Sequence, residues 1–313
     1  MQNIQILGDG LPSSLSHMLP QHYQMISFDD LGEGQTMDEI QGVVCYGHPT
    51  VDGPLLDRLP NVKVVSNHGV GVDHIDVDAA HARNVLVGNT PGCLDASTAD
   101  MTMALILSIA RNVVVGDAYA RSPEFLHYDP SILIGQEVTG STLGIIGMGR
   151  IGEQVAQRAA GFEMRVLYHN RTRKPECEQR LGVTYATLDE LLAASDFVSL
   201  NCPLTPETTG LIGAPELAQM QSSAILINMA RGPVVDSQAL YDALQSGQIT
   251  AAAIDVTEPE PLPRDDPLLG LSNLIITPHL GSASNRTRQR MMAMTIDNLN
   301  AGIAGGPLPF PVG

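Results

Sequence analysis

Three polar segments in the C-terminal half carry residue types that can act together on a carbonyl. Asn228-Met229-Ala230-Arg231-Gly232 sets an arginine directly after an apolar run. Asp255-Val256-Thr257-Glu258-Pro259-Glu260-Pro261 sets carboxylates after the next run, and Thr277-Pro278-His279-Leu280-Gly281-Ser282 sets a histidine after the one following. In an open α/β sheet, loops at the carboxyl ends of the strands line the ligand crevice. An arginine, a carboxylate and a histidine on three such loops are hard to explain as packing. The chemistry they suit is reduction of a 2-oxo acid, in which hydride reaches the carbonyl carbon and the developing alkoxide takes a proton. His279 can supply that proton near neutral pH. Arg231 can hold the substrate carboxylate through a forked pair of bonds and polarise the carbonyl. A carboxylate beside the histidine stabilises the imidazolium. Glu260 is the candidate and Glu258 its competitor, and spacing alone does not choose between them.

Hydride needs a donor, and the residues for one lie upstream. Gly147-Met148-Gly149-Arg150-Ile151-Gly152 is a GxGxxG turn between the apolar run Leu143–Ile146 and a helical segment, the context in which this pattern binds a dinucleotide. Gly147 permits the tight turn, Gly149 lets backbone approach the pyrophosphate, and Gly152 lets helix and strand pack. The helix N-terminus offers unpaired N–H groups and a partial positive charge to the phosphates. An NAD site usually carries Asp or Glu about 20 residues after the motif, on the ribose 2′-OH. Here that position is Asn170, followed by Arg171, Thr172 and Arg173. Two guanidiniums and a hydroxyl, with no carboxylate, predict NADP(H) as the preferred cofactor and NAD(H) as the alternative.

Positioning these loops requires two α/β units. The chain of 313 residues allows two domains. The N-terminal third predicts strands at Ile4–Leu7, Gly42–Cys45, Val62–Ser66 and Val85–Val87, with helices at Asp52–Leu59 and Ile75–Arg83 between them, a βαβ rhythm that makes parallel sheet. A long helix follows at Ser97–Arg111, then an irregular arm at Arg121–Gly140. From Thr142 the rhythm restarts. Six strands are expected, at Leu143–Ile146, Arg165–His169, Asp196–Asn201, Ala224–Asn228, Ala251–Val256 and Leu274–Thr277. Helices are expected at Ile151–Gly161, Leu188–Ala194, Pro215–Met220, Ser237–Gly247 and Arg286–Gly302. This is a doubly wound dinucleotide fold.

Composition narrows the class. Hydrophobic residues make up 43% and charged residues 16%, a globular balance. Lys+Arg 17 against Asp+Glu 34 leaves a net charge of −17, which argues against nucleic acid or a membrane surface as partner. Lys63 and Lys174 are the only lysines, so an anionic ligand must be held by a few arginines. The four cysteines, Cys45, Cys93, Cys177 and Cys202, form no CxxC and suit a reducing compartment. No His/Cys/Asp/Glu cluster has metal-ligand spacing. With no signal-like N-terminus and no long apolar stretch, a soluble cytoplasmic protein is expected.

With these residues in hand, the chain resembles the D-isomer-specific 2-hydroxyacid dehydrogenases over essentially its whole length. The features are Gly147–Gly152, Asn201-Cys202-Pro203-Leu204-Thr205-Pro206-Glu207-Thr208, Asn228–Gly232, Asp255–Pro261 and Pro278–Ser282. Asp255–Pro263, and Gly281-Ser282-Ala283 followed by Arg286-Thr287-Arg288, make it most similar to the glyoxylate/hydroxypyruvate reductases within that family.

The resemblance implies an NADPH-dependent reduction of glyoxylate and hydroxypyruvate to glycolate and D-glycerate. It implies Arg231 as the catalytic arginine, His279 as the acid/base and Glu260, not Glu258, as its carboxylate. Val70 and Gly71, within Asn67–Asp73, would bind the substrate carboxylate through backbone N–H groups, together with Arg231, His279 and Ser282. Thr98 and Asp255 would lie at the nicotinamide. Cys202, Pro203 and Thr208 would lie under the adenine-side ribose and phosphates, with Arg150, Ile151 and Ala230 as further cofactor contacts.

The implied fold is a Rossmann cofactor domain, 95–281, inserted into a discontinuous flavodoxin-like substrate domain, 1–94 and 282–313, in a homodimer built through the cofactor domain and the segment around Ser97–Gly140. Some hydroxypyruvate reductases place a partner-subunit tryptophan against the substrate. This chain has no tryptophan, and Phe125, Leu126, His127 and Tyr128 are the residues available in the matching stretch. The neighbouring readings are a 2-ketogluconate reductase or a broad D-2-hydroxyacid dehydrogenase. Outside the class, a dinucleotide-sensing corepressor or scaffold could share the fold.

Overall fold

The computed structural model describes residues 3–32 and 34–313. The chain divides into two compact units, Met1–Leu94 with Ala283–Gly313, and Asp95–Ser282.

In the first unit, β1 (Ile4–Leu7), α1 (Ser13–Ser16), β2 (Tyr23–Ile26), β3 (Ile40–Cys45), α2 (Gly53–Asp57), β4 (Val64–Asn67), α3 (Val77–Ala82) and β5 (Leu86–Gly88) build a parallel sheet in the order β2-β1-β3-β4-β5. That is the flavodoxin-like order. Strands covered on both faces read as continuous apolar runs, and β4 is buried along its whole length. Side chains of β1, β3 and β4 pack on Leu299, Ile303 and Leu308 from the C-terminal segment. The C-terminal helix Asn285–Ile303 opens on Ser284, whose side chain accepts the Thr287 N–H. At its other end Gly302 lies so close to β4 that an added Cβ would fall 2.4 Å from the Val64 Cβ.

The second unit begins with α4 (Asp95–Ala110) and α5 (Val113–Arg121). It continues through β6 (Thr142–Ile146), α6 (Arg150–Ala159), β7 (Arg165–His169), α7 (Pro175–Leu181), β8 (Thr184–Tyr185), α8 (Leu188–Ala194), β9 (Phe197–Leu200), α9 (Ala214–Gln219), β10 (Ile225–Asn228), α10 (Ser237–Ser246), β11 (Ala251–Ile254) and β12 (Leu274–Ile276). Its parallel sheet runs β12-β11-β10-β9-β6-β7-β8. This is the Rossmann order with one strand added, and the order reverses between β6 and β9, where such sheets bind dinucleotides.

Seven strands stand where six were expected, because β8 is a two-residue edge strand too short to show periodicity. β2 in the first unit was also unexpected, as were α5 and α7 in the second. No single helix among the described residues is long and apolar enough to cross a membrane.

α7 shapes the loop after β7. The Tyr168 hydroxyl accepts the Lys174 N–H at 2.8 Å and donates to Glu178 Oε1 at 2.8 Å. Glu178 receives Arg173 Nε and Nη2 at 2.8 and 2.7 Å. These bonds, Arg173's first and Tyr168's second, hold the Glu178 carboxyl at about 2, below its ordinary 4.5. A carboxylate with a depressed value stabilises the fold above its ordinary value, and the contribution is lost as pH falls through the depressed one. Glu178→Gln is therefore expected to unfold at lower urea than the parent at pH 7. The difference should close between pH 4.5 and about 2 and shrink in high salt, because the Arg173 side chain is 61% exposed. Denaturation midpoints at pH 7, 4 and 2 check this; a gap independent of pH would refute it.

Candidate active site

The histidine and the glutamate expected to act together meet within the second unit. His279 Nδ1 lies 2.8 Å from Glu260 Oε1. The two side chains are 30% and 34% exposed, open enough to meet a ligand yet partly shielded. Spacing left Glu258 and Glu260 as alternatives, and the histidine pairs with Glu260.

His279 takes a left-handed backbone, φ 54, unusual for a residue other than glycine. What holds it there is Asp255, only 2% exposed at the end of β11. Its Oδ1 accepts Thr277 Oγ1 at 2.6 Å and the Leu280 N–H at 2.7 Å, and its Oδ2 accepts the Gly281 N–H at 2.7 Å. Its backbone carbonyl accepts the His279 N–H at 2.9 Å. A buried carboxylate is costly unless hydrogen-bonded. Three donors at about 1.5–3 kcal/mol each for bonds to a charged group offset that cost and fix the turn that carries the histidine.

The arginine loop is shaped the same way, from a buried strand end. Asn228 closes β10, and its side chain accepts the Ala230 N–H at 3.0 Å and donates to the Arg231 carbonyl at 2.9 Å. Arg231 is half-buried, and its Nη1 donates to the Ala230 carbonyl at 3.0 Å. The following Gly232 runs against the carboxylate loop: an added Cβ would fall 2.1 Å from the Thr257 oxygen and 2.7 Å from the Glu258 nitrogen. The loops bearing Arg231 and Glu260 are thus in backbone contact. Thr98, buried on α4, closes this end. Its methyl lies 3.3 Å from the Cβ position of Gly281, as does Asp255 Oδ2. Ser282 follows, half-buried.

The glycine-rich turn fits a dinucleotide. Gly147 has φ 103, and an added Cβ would fall 2.5 Å from the Cys202 nitrogen, so this turn and the loop after β9 nearly touch. Gly152 packs against the Gly147 carbonyl, where a Cβ would fall 2.3 Å away. A Cβ on Gly149 would meet nothing within 4 Å, which leaves the backbone open to a phosphate. The first-turn N–H groups of α6 at Arg150 and Ile151 have no intrahelical acceptor. Asn201 Nδ2, beside the turn, is buried with no partner among the described residues.

Cys202 is half-buried, and burial pushes its thiol up to about 11, so it sits there neutral. Thr208 closes the same loop by donating to the Pro203 carbonyl at 2.7 Å. Buried Ala230 follows β10, the strand next to β9, and the exposed Arg150 reaches Asp95 on α4 at 3.5 Å. At the end of β7, Asn170 turns its side chain inward, accepting the Met148 N–H at 2.7 Å. Arg171 and Thr172 are exposed. Arg173 is taken by Glu178, which corrects the expectation of two available guanidiniums to one.

On the first unit, the loop after β4 is built as an amide nest. Asn67 Nδ2 donates to the Gly69 and Gly71 carbonyls at 3.1 and 2.8 Å, and Asn89 Nδ2 donates to the Val70 carbonyl at 2.8 Å. With all three carbonyls engaged, the Val70 and Gly71 N–H groups donate to no acceptor among the described residues. Such a row of free amides takes an anion.

Residues 103–281 match the model of the D-isomer specific 2-hydroxyacid dehydrogenase NAD binding domain. The chain belongs to the D-isomer specific 2-hydroxyacid dehydrogenases. As a member of that family it is an oxidoreductase, and its second unit binds a nicotinamide dinucleotide. It is 48% identical over 252 residues to a glyoxylate reductase of Korarchaeum cryptofilum, covering 80% of this chain and 76% of that one. It is 44% identical over 307 residues to glyoxylate/hydroxypyruvate reductase B of Citrobacter koseri, covering 96% and 94%. Among solved structures it superposes with TM-score 0.90 and 31% identity on an NADPH-dependent glyoxylate/hydroxypyruvate reductase of Sinorhizobium meliloti in complex with NADP and malonate, over 99% of this chain and 97% of that one.

Sequence reasoning assigned Asp255 to the cofactor and did not foresee its hold on the His279 turn. Nor did it single out Gly232, although a glycine directly after the arginine was the available signal. In this dehydrogenase, Gly232→Ala must part the Arg231 and Glu260 loops. A misplacement of about 1 Å can cost about 10²-fold, so kcat for 2-oxo acid reduction should fall by at least that much while dinucleotide binding, read by fluorescence quenching, changes little. Parental kcat in a folded Gly232→Ala would show that the approach is not needed.

Proposed function

We propose that the protein reduces glyoxylate and hydroxypyruvate with NADPH as the preferred cofactor. The observation that carries the chemistry is the 2.8 Å His279–Glu260 pair on a turn fixed by Asp255. A bound nicotinamide dinucleotide supplies hydride to the carbonyl carbon. His279 Nε2 gives its proton to the carbonyl oxygen as negative charge grows there, and Glu260 stabilises the protonated ring that precedes this step. Arg231 binds the carboxylate and draws charge toward the carbonyl oxygen. On the first unit, the Val70 and Gly71 amides offer carboxylate oxygens neutral donors, which suits small 2-oxo acids. In this reading Thr98 and Asp255 would meet the carboxamide end of the cofactor, and Cys202, Pro203, Thr208 and the turn Gly147–Gly152 its phosphates and ribose.

The NADPH preference rests on Asn170-Arg171-Thr172. The strand ends on Asn170 in place of an acidic residue, and the Asn170 side chain is occupied with the turn. Arg171, with Arg173 withheld, is the guanidinium for the phosphate. One charged hydrogen bond is about 1.5–3 kcal/mol, so NADPH should be favoured over NADH by about 10–100-fold. The test is kcat/KM for both cofactors with glyoxylate. Arg171→Ala should weaken NADPH and leave NADH nearly unchanged. His279→Ala should lose about 10²–10⁴-fold in kcat while still binding NADPH. A parent that prefers NADH, or an active His279→Ala, would overturn the respective assignment.

The same unit supports a homodimer. Val114, Ile134 and Leu126 are 54%, 76% and 83% exposed on α5 and the arm that follows it. A cavity of about 620 Å³ opens beside α5, lined by Val114, Val115, Ile134, Asn273 and Ile275. Apolar side chains this exposed around a cavity mark a surface that associates. Sedimentation should give the dimer mass for the parent and the monomer mass for Val114→Asp with Ile134→Asp; a monomeric parent would refute it.

A further inference from the structure

His68 stands directly before the amide nest and has no role in the chemistry above. It is 5% exposed. Its Nδ1 lies 3.3 Å from Thr295 Oγ1 on the C-terminal helix. That hydroxyl already donates its one hydrogen to the Met291 carbonyl at 2.9 Å. It can therefore only accept from the ring, so Nδ1 carries the hydrogen and Nε2 keeps a bare lone pair. Nε2 is buried with no partner among the described residues.

Burial, and next the charge of Arg288, push the His68 pKa down to about 4, so the ring is neutral and Nε2 is an acceptor at any pH where the enzyme would work. Arg288 itself is half-buried and makes no ion pair among the described residues, in a chain with twice as many acidic as basic side chains. The Tyr46 ring covers His68 on another side, with centroids 5.0 Å apart.

An unpaired buried acceptor with a guanidinium acting on it matches a hydroxyl group, that of an alcohol or of a water. Its hydrogen meets Nε2 and its oxygen accepts from Arg288. Resting on the function proposed above, we infer that His68 is a specificity-determining residue that binds the C3 hydroxyl of hydroxypyruvate, with Arg288 as the second contact. A three-carbon acid held by its carboxylate on the Val70 and Gly71 amides carries that hydroxyl on the carbon two bonds from the carboxylate carbon, and His68 precedes those amides by two residues in the chain. Glyoxylate lacks the group and does not use the subsite. Pyruvate puts a methyl against the lone pair and is rejected, because a site built for a hydroxyl is left with an unpaired buried atom when the hydroxyl is missing.

The experiment measures kcat/KM with NADPH for glyoxylate, hydroxypyruvate and pyruvate in the parent, His68→Leu and His68→Gln. The parent should favour hydroxypyruvate over pyruvate by at least about 10²-fold. In His68→Leu that ratio should fall by about 10–100-fold, the loss of one buried hydrogen bond, while glyoxylate stays within about threefold of the parent, since it makes no such bond. His68→Gln, which keeps an acceptor, should retain most of the ratio. A ratio unchanged in His68→Leu, or a parent that takes pyruvate as well as hydroxypyruvate, overturns the inference and leaves Nε2 to a buried water. If His68→Leu does not fold, the parent ratio and His68→Gln still decide. A parent that reduces none of the three acids would instead refute the proposed function.

Discussion

A carboxylate taken almost wholly out of water, Asp255, sets the geometry at the carboxyl end of the seven-stranded sheet. Its charge must be met by donors, and β11 delivers it where the chain returning from β12 can supply them: Thr277 Oγ1 and the Leu280 and Gly281 N–H groups. Satisfying that charge forces residues 277–281 into one turn, and His279 accepts a left-handed backbone as part of it. The side chain then projects from a rigid base toward Glu260. A proton donor gains from such a base, because small displacements cost rate steeply.

In the neighbouring loops, too, a residue at a strand end fixes the segment beyond it. Asn228, buried at the end of β10, ties the Ala230 N–H and the Arg231 carbonyl and so sets where Arg231 emerges. Gly232 then lets that loop meet the carboxylate loop without a side chain between. At β6 the glycine turn nearly touches the loop after β9, which leaves Gly149 and the start of α6 facing open space at the point where the strand order reverses. On the first unit, Asn67 at the end of β4 plays the part that Asn228 plays on the second, consuming carbonyls so that amides are left for an anion.

The long apolar runs made both sheets legible in the sequence, because a buried parallel strand cannot be written any other way. The elements that escaped notice lacked that signal. β8 is two residues long, and β2 is an edge strand of Tyr, Gln, Met and Ile that is only half-buried. α5 begins with three valines, which favour strands, and contains Gly116. Missing α7 had a chemical consequence, since Glu178 on that helix withdraws Arg173 from the cofactor loop. Arg231 and His279 could be read from residue type and position after a strand. The pairing of His279 with Glu260 instead of Glu258 could not be read from spacing, because it depends on how a proline-bounded turn points its side chains. The hold of Asp255 on the histidine turn was equally hidden, since it runs through backbone N–H groups that no side-chain pattern announces.

The positioning role of Asp255 is tested most directly by Asp255→Asn. The amide keeps the shape of the side chain but removes the charge, and its NH₂ sets hydrogens against one of the N–H donors that Asp255 now satisfies. The turn should shift, and His279 with it. The measurement is kcat for glyoxylate reduction at saturating NADPH, alongside the Glu260–His279 distance in a crystal structure of the variant. We expect kcat to fall by about 10²-fold or more and the His279–Glu260 contact to break. A variant with parental kcat, or one that loses activity with the pair still at 2.8 Å, would show that Asp255 does not act by positioning the histidine.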